Sequence, residues 1–114
     1  MTYRIFFQAY GLGEAVPSTA PVTVDLRRLL RLIEDKLREP DDYLGLVDAE
    51  DRILQIQREG EDLYRVEFPD FERRRSLCRP FGRAALADWL EGLTDDFSRA
   101  DRGGFSEAPW PHPP

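Results

Sequence analysis

The sequence predicts an α+β domain in which two helices pack on one face of an antiparallel sheet, in the element order β-α-β-β-β-α. Three short segments between residues 43 and 69 alternate apolar and polar residues, as the strands of a meander do. One amphipathic segment precedes them and another follows, each long enough for a helix. At 114 residues the chain is expected to form one domain, which we place at residues 1–102, followed by a tail at 103–114.

The first predicted strand covers residues 2–10. Tyr3, Ile5 and Phe7 fall on one face of it, while Phe6 falls on the other, so we expect both faces to be partly covered. Residues 11–21 contain two glycines and two prolines and are expected to form a loop.

The first predicted helix starts at a cap, either Thr23 or Asp25, and ends before Pro40. Its apolar stripe has the spacing of one helix face and consists of Leu26, Leu29, Leu30, Ile33 and Leu37. Leu30 is therefore expected in the core.

The central strands are predicted in the segments YLGLVD, RILQIQ and LYRVEFP, which short polar turns separate. Their alternation leaves one face apolar and one polar, so the apolar face needs helices to cover it. A second helix is expected after Pro80, with Ala85, Leu86, Trp89, Leu90 and Leu93 on one face. Trp89 is thus a second predicted core residue.

The tail contains Gly103 and Gly104 and ends in PWPHPP, a composition typical of irregular or polyproline segments. We expect Trp110 to dock this segment against the domain or an interface.

Several classes of site are excluded by residue types. The single cysteine, Cys78, and the single histidine, His112, cannot form an internal disulfide, a zinc module or a Cys–His catalytic pair. The Gly11-Leu12-Gly13 segment lacks the rest of a phosphate-binding motif, and no serine has the surroundings of a nucleophile. We therefore expect no catalytic residues, no metal site, no cofactor and no enzymatic activity. With no apolar run of 18 residues and no signal-peptide pattern, a cytoplasmic protein without membrane contact is expected.

Negative charge is concentrated in the middle of the chain. The sequence has 22 acidic and 16 basic residues, and residues 41–72 alone hold 11 acidic against 3 basic ones. In a meander these carboxylates fall at two opposite ends of the sheet. One end has arginines close in sequence; the other has only Arg58 nearby and gathers Asp41, Asp42, Glu59, Glu61 and Asp62.

These last five carboxylates are the predicted partner-binding residues, because unneutralised carboxylates favour association with a basic protein. The competing interpretation is a surface that only keeps the protein in solution.

One cluster is basic and consists of Arg73, Arg74, Arg75, Arg79 and Arg83. We expect these arginines to pair with the neighbouring acidic hairpins, because a net charge of −6 opposes direct binding of nucleic acid.

The stretch YLGLVDAEDRILQIQREGEDLYRVEFP and the helix AALADWLEGL, about residues 43–93, resemble the small immunity proteins of bacterial polymorphic-toxin systems. Those proteins are acidic single domains that each bind and block one toxin. The resemblance implies a non-enzymatic inhibitor that occludes the basic active-site surface of a toxin such as a nuclease. Two alternatives stay open: a phage-encoded inhibitor of a CRISPR-type defence complex, and a secretion chaperone, which should dimerise.

Overall fold

The computed structural model describes residues 1–110, which form one antiparallel sheet and two α-helices. The strands are β1 (Thr2–Ala9), β2 (Glu14–Val16), β3 (Val22–Asp25), β4 (Tyr43–Val47), β5 (Ile53–Gly60), β6 (Leu63–Asp70), β7 (Arg75–Gly82) and β8 (Ser106–Pro109). The helices are α1 (Leu26–Lys36) and α2 (Arg83–Glu91), and short 3-10 turns lie at Tyr10–Leu12 and Phe97–Arg99. The predicted α+β class is confirmed.

The strands follow the order β2-β1-β4-β5-β6-β7-β8, and β3 pairs with β1 next to β2. All the pairs are antiparallel. The meander from β4 to β6 is present as predicted, with Leu44 opposite Ile56 and Ile56 opposite Val66. This register brings the start of β4, the end of β5 and the start of β6 to one end of the sheet.

Four strands were not predicted, so the element order differs from β-α-β-β-β-α. The expected loop at 11–21 contains β2, and β3 occupies the residues just before α1. Strand β7 was missed because arginines and Pro80 interrupt its apolar alternation. Pro80 is accommodated there because it lies beyond the stretch of β7 that pairs with β8, and a proline costs least where a strand lacks a neighbour.

The tail also differs from the predicted irregular segment. Residues Ser106–Pro109 form β8 at the edge of the sheet, paired with the first half of β7. The Trp110 backbone N–H donates to the Arg74 carbonyl at 3.0 Å, and its indole N–H donates to Ser76 Oγ at 2.9 Å. The rest of the predicted tail, residues 111–114, lies outside the described residues.

The core lies between the helices and one face of the sheet. Both helices contribute to it: α1 through Leu29, Leu32 and Ile33, and α2 through Leu86 and Leu90. Asp25 caps α1 by accepting a hydrogen bond from the Arg28 N–H at 2.8 Å, which decides between the two predicted caps.

The two residues predicted as core, Leu30 and Trp89, are only partly buried and pack at its margin. In α1, Leu32 takes the buried position, because the helix is rotated slightly from the predicted register. Trp89 packs on Phe81 and Phe105, and its indole N–H donates to the Asp101 carbonyl at 2.9 Å. That polar contact keeps one edge of the ring at the surface.

Within residues 1–110 no helix packs on the other face of the sheet, yet Phe6 on it is only 5% exposed. Its ring lies over Gly45 on the neighbouring strand and meets the edge of Tyr43 at a centroid distance of 6.3 Å. The second face is therefore covered locally by its own side chains. Neither helix in the described residues has the length and apolar character needed to cross a lipid bilayer.

Candidate partner-binding surface

The predicted binding carboxylates meet at one end of the sheet. Asp41 immediately precedes β4, Glu59 lies near the end of β5, and Glu61 and Asp62 form the turn into β6. Strands β4 and β5 are antiparallel neighbours, so these positions lie side by side. The C-terminus of α1 also reaches this end, because residues 37–42 connect it directly to β4.

Asp42 does not belong to the exposed set, which corrects the prediction for this residue. It is only 1% exposed, and its carboxylate accepts hydrogen bonds from the backbone N–H groups of Tyr10 (2.8 Å), Arg38 (3.0 Å) and Glu39 (2.9 Å). Burial alone would raise the pKa of Asp42, but these donors outweigh it and hold the pKa below its ordinary value. Asp42 therefore ties the end of β1 to the connection between α1 and β4.

Two of the other predicted carboxylates have cationic partners, contrary to the expectation that they lack them. Asp62 Oδ1 lies 2.8 Å from Arg83 Nη2, and the same guanidinium reaches Glu34 Oε1 at 2.5 Å. Glu59 Oε1 lies 3.2 Å from Arg65 Nη1. These arginines are distant from the carboxylates in sequence or lie on the next strand, so the charge of the local sequence does not predict these ion pairs.

Asp41 and Glu61 are exposed and form no ion pair within the described residues. A third carboxylate, Glu39, shares both properties and was not predicted. Arg58, the one cation expected nearby, donates through Nε to the Gly60 carbonyl at 3.1 Å. Three unneutralised carboxylates thus remain at this end of the sheet.

Exposed apolar side chains lie among these carboxylates. Tyr10 is 58% exposed, and Leu12 and Leu63 are each 39% exposed. Tyr10 and Leu12 lie in the 3-10 turn that follows β1, and Leu63 begins β6. We call this surface the acidic end: Tyr10, Leu12, Glu39, Asp41, Glu61 and Leu63.

The apolar members of the acidic end were missed because their exposure depends on where the chain turns. The sequence predicts Tyr10 as the last residue of the first strand, whereas β1 ends at Ala9 and Tyr10 lies in the following 3-10 turn. Protein–protein contacts commonly have an apolar or aromatic centre within a polar, solvent-accessible rim, and the acidic end has both kinds of side chain.

At the opposite end of the sheet, Asp48 and Asp70 pair with arginines, whereas Glu50 and Glu72 form no ion pair within the described residues. Asp48 is buried and accepts hydrogen bonds from the N–H groups of Arg52 (2.8 Å), Phe97 (2.8 Å) and Glu50 (3.0 Å). Burial would raise the pKa of Asp48, but these donors and the Arg52 guanidinium hold it below the ordinary value. Like Asp42, Asp48 is a buried carboxylate with a structural role: its hydrogen bonds join the turn between β4 and β5 to the 3-10 turn that begins at Phe97.

The arginines of the basic cluster are spread along β7 and its two ends. Arg73 lies 4.0 Å from Asp70, Arg75 lies 3.0 Å from Glu107, and Arg83 makes the pairs described above. Arg79 stacks over the Phe81 ring at 4.3 Å and donates to the Gly103 carbonyl. Two of the five arginines, Arg73 and Arg83, thus pair with the acidic hairpins as expected, whereas Arg75 pairs with Glu107 of β8.

Cys78 lies half-buried on the helix-free face. Burial and the nearby Glu67 carboxylate raise the pKa of the thiol, against the opposing effect of Arg65. The protonated thiol is a weak nucleophile. Among residues 1–110 no three His, Cys, Asp or Glu side chains are grouped as ligands of a metal ion.

Comparison of the chain with protein-family models, with curated proteins and with solved structures finds no match.

Proposed function

We propose that the protein is a non-enzymatic binding protein that uses the acidic end to occlude a basic surface of another protein. In its most specific form the proposal is an immunity protein, which neutralises a cognate bacterial toxin by covering its basic active-site surface. A nuclease is the type of toxin that best fits, because its active site must attract phosphates. The proposal places this encounter in the cytoplasm.

The observation that carries the proposal is the combination of charge and apolar surface at one end of the sheet. Glu39, Asp41 and Glu61 make no ion pairs within the described residues, so they can pair with a partner's cations without breaking contacts of their own. Tyr10 and Leu63 supply apolar area beside them. Carboxylates at the rim guide encounter, and buried aromatic groups supply most of the affinity.

The test is capture of the partner from the source cell at low ionic strength, with the intact protein as bait. The matched baits are an Asp41→Lys/Glu61→Lys variant and a Glu50→Lys/Glu72→Lys variant. Glu50 and Glu72 are exposed at the opposite end of the sheet, and their reversal changes the net charge equally.

We expect one basic protein on the parent bait and on the Glu50/Glu72 variant, and its loss from the Asp41/Glu61 variant. The captured protein, tested alone, should be a toxin whose activity the parent inhibits at a one-to-one ratio. Capture of a multisubunit RNA-guided complex would instead indicate an inhibitor of bacterial defence. Capture of an unfolded secreted segment by a dimeric bait would indicate a chaperone.

A further inference from the structure

A groove of about 540 Å³ opens at the end of the sheet opposite the acidic end. It lies where β5 begins, β6 ends and β7 begins, and the 3-10 turn at Phe97–Arg99 borders it. Phe68, Leu77 and Phe97 supply apolar lining. Four arginines and four carboxylates also line the groove: Arg52, Arg73, Arg75 and Arg102, and Asp51, Asp70, Glu72 and Glu107. This volume falls within the range of small-molecule sites, which are mainly apolar with a few convergent polar groups.

Arg102 differs from the other arginines of the groove. Arg75 lies 3.0 Å from Glu107, and Arg52 pairs with Asp48 and Asp96. Arg102 has no carboxylate within ion-pair distance among residues 1–110. Its Nη2 instead donates to the Phe97 carbonyl at 2.9 Å, and its guanidinium carbon lies 4.4 Å from the centroid of the Phe68 ring.

These two contacts hold the guanidinium in place but use few of its N–H groups. A guanidinium has five N–H donors in a planar fork that matches a carboxylate. One of them reaches the Phe97 carbonyl, and the stacking on Phe68 uses none. Arg102 is thus an oriented cation with free donors beside an apolar floor.

We propose that this groove binds a small hydrophobic carboxylate, with its apolar body on Phe68, Leu77 and Phe97 and its carboxylate on Arg102. Charge complementarity selects the head group, because Arg102 has free N–H donors at the apolar floor. Three of the four lining carboxylates, Asp51, Asp70 and Glu107, are paired with Arg4, Arg73 and Arg75. The fourth, Glu72, is exposed in the turn after β6. The apolar floor selects an alkyl or aryl body over a sugar or nucleotide. The site is independent of the proposed function, because it lies at the other end of the sheet.

The experiment uses decanoate as the probe and decanamide, which has the same chain without the charge, as its control. Binding is followed by titration calorimetry and by the indole N–H resonance of Trp110 in nuclear magnetic resonance spectra. That resonance is a local reporter, because the indole donates to Ser76 and meets Phe71, and both residues line the groove.

We expect decanoate to bind at least about tenfold more tightly than decanamide, the factor that a charge-assisted pair supplies. Arg102→Gln should remove that preference. Arg99→Gln is the matched control, because Arg99 is an exposed arginine three residues away that does not line the groove. If Arg102→Gln proves unstable, Arg102→Lys is the second variant. It keeps the charge and should retain part of the preference for decanoate.

Absence of binding by decanoate, or equal binding of both probes to the parent, would overturn the proposal. Retention of the full preference in Arg102→Gln would also overturn it, because the carboxylate would then lie elsewhere.

Discussion

The Phe6 ring lies directly over Gly45, its cross-strand neighbour, and leaves no space for a side chain at position 45. A Cβ atom built there would lie less than 3.0 Å from three atoms of the ring. The glycine therefore allows an aromatic residue to be 95% buried on a face of the sheet that no helix covers. The absence of a side chain at position 45 therefore determines how Phe6 packs on that face.

Gly45→Ala should accordingly lower the free energy of unfolding by about 1–3 kcal/mol, because the Phe6 ring must leave its position. The measurement is denaturant unfolding. Gly60→Ala is the control, since a Cβ there would make only ordinary contact, at 3.9 Å from Leu63. Adding Phe6→Leu to Gly45→Ala should recover part of the loss; strictly additive effects would contradict the clash.

Leu29 and Leu30 are adjacent in α1 and differ in burial, which tests the rotation of the helix. Leu29 is fully buried, whereas Leu30 packs at the margin of the core. Leu29→Ala should cost about 2–5 kcal/mol of unfolding free energy, and Leu30→Ala clearly less. Equal losses, measured by thermal and denaturant unfolding, would support the predicted register instead.

Asp42 should make the stability of the protein depend on acidic pH. Its pKa and that of Asp48 lie below the ordinary value of 3.8 in the folded protein. Both carboxylates therefore stabilise the fold at pH values above 3.8, and this contribution is lost as the pH falls through their folded-state pKa values. Unfolding free energy should decline below about pH 4.

Asp42→Asn should lower stability at neutral pH by about 2–3 kcal/mol, because an amide cannot satisfy three backbone donors as a carboxylate does. The variant should also show a shallower decline in acid. Asp41→Asn, next to it and exposed, is the control and should match the parent at every pH. A parental acid profile in Asp42→Asn would show that this carboxylate is not the titrating group.

Charge reversal at the acidic end should act on association rather than on folding. For the captured partner, Asp41→Lys/Glu61→Lys should slow association by about tenfold or more at low ionic strength. The difference should shrink in high salt, because exposed charges are screened over about 8 Å at physiological ionic strength. Stopped-flow or surface-binding kinetics would measure this, with Glu50→Lys/Glu72→Lys as control. If the control slows association equally, net charge rather than this surface is responsible.

The parts of the fold that could be predicted from the sequence are those whose own residues carry a regular apolar alternation. The strands β4, β5 and β6 carry their alternation and turn residues within one continuous stretch. In contrast, β8 has no apolar pattern of its own and is a strand because β7 pairs with it. The strand propensity of residues 106–109 alone does not indicate that they pair with β7.

Dependence on residues that are distant in the chain also explains which of the predicted binding carboxylates are exposed and which are not. The predicted meander places Asp41 and Glu61 at the same end of the sheet, as the structure does, because this requires only the order of the strands. The burial of Asp42 depends on the N–H of Tyr10, which is 32 residues away in the chain. The pairing of Asp62 depends on Arg83, which follows a strand that was not predicted. Contacts between residues that are distant in the chain thus determine which of these carboxylates are buried, which are paired and which are exposed, and the local sequence does not distinguish them.

Strand β8 also has a consequence for the colloidal behaviour of the protein. It covers the outer side of Arg75–Cys78 in β7, where bare N–H and C=O groups would otherwise invite a strand from another molecule. Being four residues long and ending in Pro109, β8 is itself a poor template for such pairing. Strand β8 therefore reduces the tendency of the protein to aggregate edge to edge. A chain that ends before Ser106 would expose this edge of β7.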